Sequence, residues 1–88
     1  MTERKIVVLN KMGLHARPSS KLVQKAASFK SDLHIHRDQQ VVNGKSIMGV
    51  MMLAAAQGTE LTLAANGVDE EQLLAALVEL FDKKFEEE

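Results

Sequence analysis

Strand-type and helix-type apolar patterns interleave along only 88 residues, and that interleaving leaves few folds open. Ile6-Val7-Val8-Leu9 is β-branched and apolar, which predicts a first strand. Leu22, Val23, Ala26 and Phe29 recur at helical spacing, so a helix is expected from about Ala16 to Phe29. Leu33-His34-Ile35-His36 alternates apolar and polar, as a half-buried strand does. Arg37-Asp38-Gln39 suits a tight turn, with Gln40-Val41-Val42 returning as the third strand. Asn43-Gly44 turns the chain again. Ile47 to Ala54 then reads as a short apolar helix ended by Gly58. Glu60-Leu61-Thr62-Leu63-Ala64 alternates as a fourth strand, and Asn66-Gly67 marks another turn. Asp69 is placed to cap a last helix, with Gln72 completing a capping box. Leu73, Leu74, Leu77, Val78, Phe81 and Phe85 form its apolar stripe. Lys83 and Lys84 suit its C-terminal end, and Glu86 to Glu88 form a solvated tail. The order βαββαβα in so short a chain implies one α+β domain over residues 1–88, a single sheet with helices on one face.

Bulk properties narrow the class of function. Hydrophobic residues make up 45%, enough for a packed core. A net charge of −1 argues against a dedicated nucleic-acid or membrane-surface binder. Without cysteine, disulfides, thiolate catalysis and cysteine-ligated metals are excluded. The opening apolar run is too short for a signal peptide, so a cytoplasmic protein is expected.

The densest chemical information lies in Gly13-Leu14-His15-Ala16-Arg17-Pro18. One histidine stands where a helix is about to start. Backbone N–H groups there are unpaired and the helix dipole adds partial positive charge, which suits an anion. A neutral imidazole keeps a ring nitrogen for nucleophilic attack. Arg17 can donate to phosphate oxygens, Gly13 permits an unusual turn, and Pro18 stiffens the first helical turn. The bland alternative is a surface histidine that happens to precede a helix. The combination favours phosphoryl chemistry on His15.

Ser46 is first an N-cap for the short helix, and a phosphate there would also sit well on the helix end. Gly44-Lys45-Ser46 echoes the tail of a nucleotide-binding loop, but Gln39 stands where the required glycine should be, so nucleotide binding is rejected. A helix carrying Ile47, Met48, Val50, Met51, Met52 and Leu53 is too apolar to bury on every side. Val50 and Leu53 are expected in the core, with Ile47, Met48 and Met51 forming an exposed docking patch. His34 and His36 share one strand face, but no third ligand joins them, so they read as solvent-face residues and no metal or cofactor is expected.

With His15 and Ser46 both in view, the whole chain resembles the HPr family, the histidine-containing phosphocarriers of the bacterial phosphotransferase system. Gly13 to Pro18 is similar to that family's active-centre motif. Lys45-Ser46-Ile47-Met48-Gly49-Val50-Met51 is similar to its regulatory-serine motif. The resemblance implies an open-faced β-sandwich, with a four-stranded antiparallel sheet covered on one face by three helices. It implies a monomeric, stoichiometric carrier rather than an enzyme. His15 would accept a phosphoryl group on Nδ1 from enzyme I, which draws it from phosphoenolpyruvate, and would pass it to enzyme IIA domains. Arg17 would stabilise the phosphoryl charge. Ser46 would be the target of HPr kinase/phosphorylase, with a transcriptional regulator as a further partner. Ala16, Arg17, Ser20, Ile47, Met48 and Met51 would map to the docking face. Two positions depart from the regulated members. Met52 replaces a small hydroxyl residue, and the Leu80 to Phe85 ending is more similar to the nitrogen-related branch. Two other readings stay open: a nitrogen-type regulatory carrier, and a purely regulatory interaction protein acting through Ser46.

Overall fold

The computed structural model describes residues 1–86. Its elements are β1 (Thr2–Val7), α1 (Ala16–Ala27), β2 (Asp32–Arg37), β3 (Gln40–Asn43), α2 (Ile47–Met52), β4 (Glu60–Asn66) and α3 (Glu70–Asp82), followed by a 3-10 turn over Lys84–Glu86. The order is the expected βαββαβα. Glu87 and Glu88 of the expected acidic tail lie outside the described residues.

The four strands form one antiparallel sheet in the order β1-β4-β2-β3. Directly opposed residues share a face, and the register pairs Ile6 with Leu61, Ile35 with Leu63, and Leu33 with Ala65. These side chains form the core floor. The intervening Asp32, His34 and Glu60 point to the other face and are exposed, as expected for His34. Leu22 and Ala26 of α1, Val50 of α2, and Leu73, Leu74, Leu77 and Phe81 of α3 close the core from above. All three helices therefore cover one face, giving the open-faced β-sandwich. Each fully buried Leu contributes about 1.5–3 kcal/mol through lost apolar exposure.

Three local expectations are corrected. The first strand spans Thr2–Val7, not Ile6 to Leu9. Thr2 to Lys5 carry little apolar signal, but pairing with Thr62 to Ala65 of β4 imposes the extended form. Phe85 is not on the last helix. That helix ends at Asp82, and Lys84, Phe85 and Glu86 adopt φ of 54°, 56° and 60°. A continued helix would carry Phe85 about 6 Å beyond Phe81 along the axis. The left-handed turn instead lays its ring edge-on against Phe81, with centroids 4.7 Å apart. Finally, α2 stops at Met52, short of the expected Ala54. Ala54 takes the left-handed conformation at φ 49° while Arg37 Nη1 donates to the carbonyls of Leu53 and Ala54.

Asp69 does occupy the N-cap of α3, but it forms no capping box. Its carboxylate accepts hydrogen bonds from the Ser31 hydroxyl and from the backbone N–H groups of Lys30 and Ser31. The backward reach comes from Glu70, which accepts from the Gly67 N–H at 3.0 Å and from the Thr2 hydroxyl. Gly67 lies against Ser31, where a Cβ would stand 2.4 Å from Oγ. Apart from the local Gly67–Glu70 bond, the strand–helix corner is thus held by bonds between residues distant in sequence.

This corner sets an acid dependence. The Ser31 hydroxyl and the Lys30 N–H hold Asp69 below the ordinary carboxylate range, and the Thr2 hydroxyl and Gly67 N–H do the same for Glu70. A carboxylate with a depressed folded pKa adds stability above its unfolded pKa and loses it as pH falls through the folded value. The urea midpoint should therefore fall steadily below about pH 4. Asp69→Asn should lower the midpoint at pH 7 and flatten that acid slope. An unchanged slope in this variant would mean the corner bonds do not act through ionised Asp69.

Candidate functional site

His15 stands at the N-cap of α1, half-buried, with extended backbone at φ −79° and ψ −168°. Its side chain makes no cap bond, and no acidic residue lies in the first turn. The positive end of a 12-residue helix is therefore not offset by a local carboxylate. The first intrahelical bond runs from the Ser19 N–H to the His15 carbonyl at 3.0 Å. Pro18 occupies the third helical position, where the missing N–H costs no bond, and it is buried. Arg17 is exposed at the second helical position, two residues after the histidine.

The turn before His15 is tightly tied. Gly13 has φ +68°, and a Cβ there would meet the Ala55 carbonyl oxygen at 2.4 Å. The Leu14 N–H donates to that same oxygen at 2.8 Å. The buried Ser19 hydroxyl donates back to the Leu14 carbonyl at 3.1 Å. Further along, the Gly58 N–H donates to the Val8 carbonyl and the Val8 N–H to the Thr59 carbonyl. The segment between α2 and β4 thus forms the wall against which the histidine turn is built.

Ser46 caps α2, its Oγ accepting from the Gly49 N–H at 3.1 Å. Helices α1 and α2 pack against one another, which puts the two motifs on neighbouring elements of the same layer. Ile47, Met48 and Met51 are exposed at 43%, 75% and 43%, whereas Val50 and Leu53 are buried, as the sequence pattern implies. Ala16 is exposed and Ser20 half-buried on the first two turns of α1. Among the described residues no group of three His, Cys, Asp or Glu side chains could hold a metal ion.

Several contributors carry no clear signal in sequence. Met12 and Met52 are also exposed, at 75% and 67%, and enlarge the apolar surface. Met12 lies in the connecting loop, where an apolar residue with no core role could have drawn notice. The partnership of Leu14 with Ala55 depends on how the loops meet in space.

Fold and site together define a small open-faced β-sandwich that presents one histidine at a helix start. The family model described as "PTS HPr component phosphorylation site" matches residues 2–83. The phosphocarrier protein HPr of Neisseria meningitidis is 47% identical over 87 residues, covering 99% of this chain and 98% of that protein. The HPr-like protein Crh of Bacillus subtilis is 48% identical over 77 residues, covering 88% and 91%. The crystal structure of HPr-C-His from Thermoanaerobacter tengcongensis matches with a TM-score of 0.96 at 48% identity, covering 100% of this chain and 99% of that one. The chain belongs to the HPr family of phosphocarrier proteins of the phosphotransferase system.

Proposed function

We propose that this protein carries a phosphoryl group on His15, received from phospho-enzyme I and delivered to enzyme IIA domains, as a monomer in the cytoplasm. The observation that carries this reading is the position of His15, at an N-cap left unused by its own side chain and not offset by acidic residues. The Nδ1 lone pair attacks phosphorus in line. A P–N bond forms at His15 as the P–N bond of the donor phosphohistidine breaks, and the donor ring keeps that bond's electron pair. Little covalent work falls to the protein; positioning and charge stabilisation do most of it. The helix end and the Arg17 guanidinium stabilise the transferred charge. Donor and product bonds are of one kind, so the step runs readily in both directions. Met48 and its exposed neighbours on α2, the helix packed against α1, give partner proteins an adaptable apolar contact. Incubation with phosphoenolpyruvate and enzyme I should give one acid-labile, base-stable phosphoryl group per chain. Label that survives acid, or its absence altogether, would overturn the reading.

Ser46 is proposed as a regulatory site on the same layer. Phosphorylation there, by a kinase of the HPr kinase/phosphorylase type, would add nearly two negative charges at the start of α2. A negatively charged partner surface would then be repelled without any change of fold. Ser46→Asp should lower kcat/KM for transfer from enzyme I about tenfold at low salt, less at high salt, with an unchanged circular dichroism spectrum. A matching loss of helical signal would instead make Ser46 a structural cap only. A second reading has the protein act through partner binding at the Ser46 face while His15 stays idle; the exposed Met48 and Met51 that follow the Ser46 cap support it.

A further inference from the structure

We propose that Asn10 is a positioning residue for phosphoryl transfer, holding both backbone polar groups of Gly13 and so fixing the turn that carries His15. This inference rests on the carrier reading above. Asn10 sits in a loop, yet it is 1% exposed. Its carbonyl accepts the Gly13 N–H at 3.1 Å, and its Nδ2 donates to the Gly13 carbonyl. An amide facing a carbonyl must present its nitrogen, so the orientation follows from the partner. Its Oδ1 is then left buried with no partner. A buried acceptor without a partner is unfavourable, so the side chain's contribution lies in the bond made by Nδ2.

The consequence reaches His15 through the backbone. From Gly13 onward the chain is held group by group. The Gly13 N–H and carbonyl go to Asn10, the Leu14 N–H to Ala55, the Leu14 carbonyl to Ser19 Oγ, and the His15 carbonyl to the Ser19 N–H. Asn10 is the side chain that secures the upstream half of this series, and Ser19 secures the downstream half. Gly13 has no side chain to restrict its own dihedrals, so external bonds must do so. Without the Nδ2 bond, the Gly13 carbonyl can rotate and swing the next residues with it. An error of about 1 Å in the attacking nitrogen is enough to slow transfer by about 100-fold.

Asn10→Ala and the near-isosteric Asn10→Asp both remove the donor, and Asn10→Ser keeps a shorter one. Each variant is compared with wild type for transfer from phospho-enzyme I, at a temperature where circular dichroism shows it folded. The expected result is a fall of about 10–100-fold in kcat for Asn10→Ala and Asn10→Asp, with KM changed less than threefold and partial recovery in Asn10→Ser. In the wild type, one side-chain amide proton of Asn10 should exchange with solvent far more slowly than those of exposed Asn66. Unchanged kcat in a folded variant, or fast exchange of the Asn10 amide, would overturn the positioning role. If wild type itself takes no phosphoryl group, the carrier reading fails instead, and the exchange measurement still decides whether Asn10 holds the turn.

Discussion

His15→Ala should take up no phosphoryl group from phosphoenolpyruvate and enzyme I, a loss of at least about 10³-fold in initial rate. The variant is a clean one because the His15 side chain is half-buried and makes no capping bond. Its stability should change by no more than about 0.5 kcal/mol. Loss of label is then loss of the acceptor and not of the fold. The same variant separates the two functional readings. A carrier needs His15 for every turnover, so sugar uptake or regulation that depends on transfer stops. A protein acting only through its docking face keeps partner binding and regulation in His15→Ala. Labelling of the variant at the wild-type rate would place the phosphoryl group elsewhere and overturn the mechanism. His34 and His36 stand on the opposite face of the sheet and provide an internal control, since their replacement should leave transfer intact.

Gly13→Ala should lower both stability and transfer. The left-handed backbone at φ +68° costs an alanine about 1–2 kcal/mol. A Cβ would also stand 2.4 Å from the Ala55 carbonyl oxygen and 2.9 Å from Ala56 Cα, both backbone atoms. They cannot swing aside as a flexible side chain would. Relief requires the Leu14–Ala55 bond to lengthen, so a total of about 2–4 kcal/mol is expected. That is a large part of the 5–15 kcal/mol typical of a domain. Gly58→Ala makes the comparison sharp. Its φ is +90°, but a Cβ there meets nothing within 4 Å, so only the conformational cost applies. Urea denaturation of both variants tests this. Equal losses would show that the close approach of Gly13 to Ala55 contributes nothing. Transfer should also fall further in Gly13→Ala than in Gly58→Ala, because His15 follows Gly13 by only two residues.

Much of the architecture was legible because periodicity reports burial. Leu33 and Ile35 alternate with His34 and His36, and the sheet buries the first pair and leaves His34 exposed. Val50 and Leu53 face the core while Met48 faces outward, as helical spacing demands. Element ends were less legible. Thr2 to Lys5 become strand only because β4 lies beside them, and Phe85 leaves the helix for an aromatic contact that spacing cannot announce. Asp69 looked like a partner for Gln72, yet it serves Ser31, distant in sequence.

The site divides along the same line. Linear order alone puts His15 at a helix start, Arg17 and Pro18 in its first turn, and Ser46 before a second helix, because caps, dipoles and proline geometry are local effects. The sequence by itself therefore determined the element order, the core faces and the chemistry offered by His15. Only the tertiary structure decided how that histidine is held. Asn10 is buried beneath the turn, Ser19 reaches back to Leu14, and Ala55 closes on Gly13. Asn10 and Ser19 bond within five residues of themselves, but their burial and the Ala55 contact depend on α2, β4 and the sheet beneath them, and no local propensity encodes a distance across the fold.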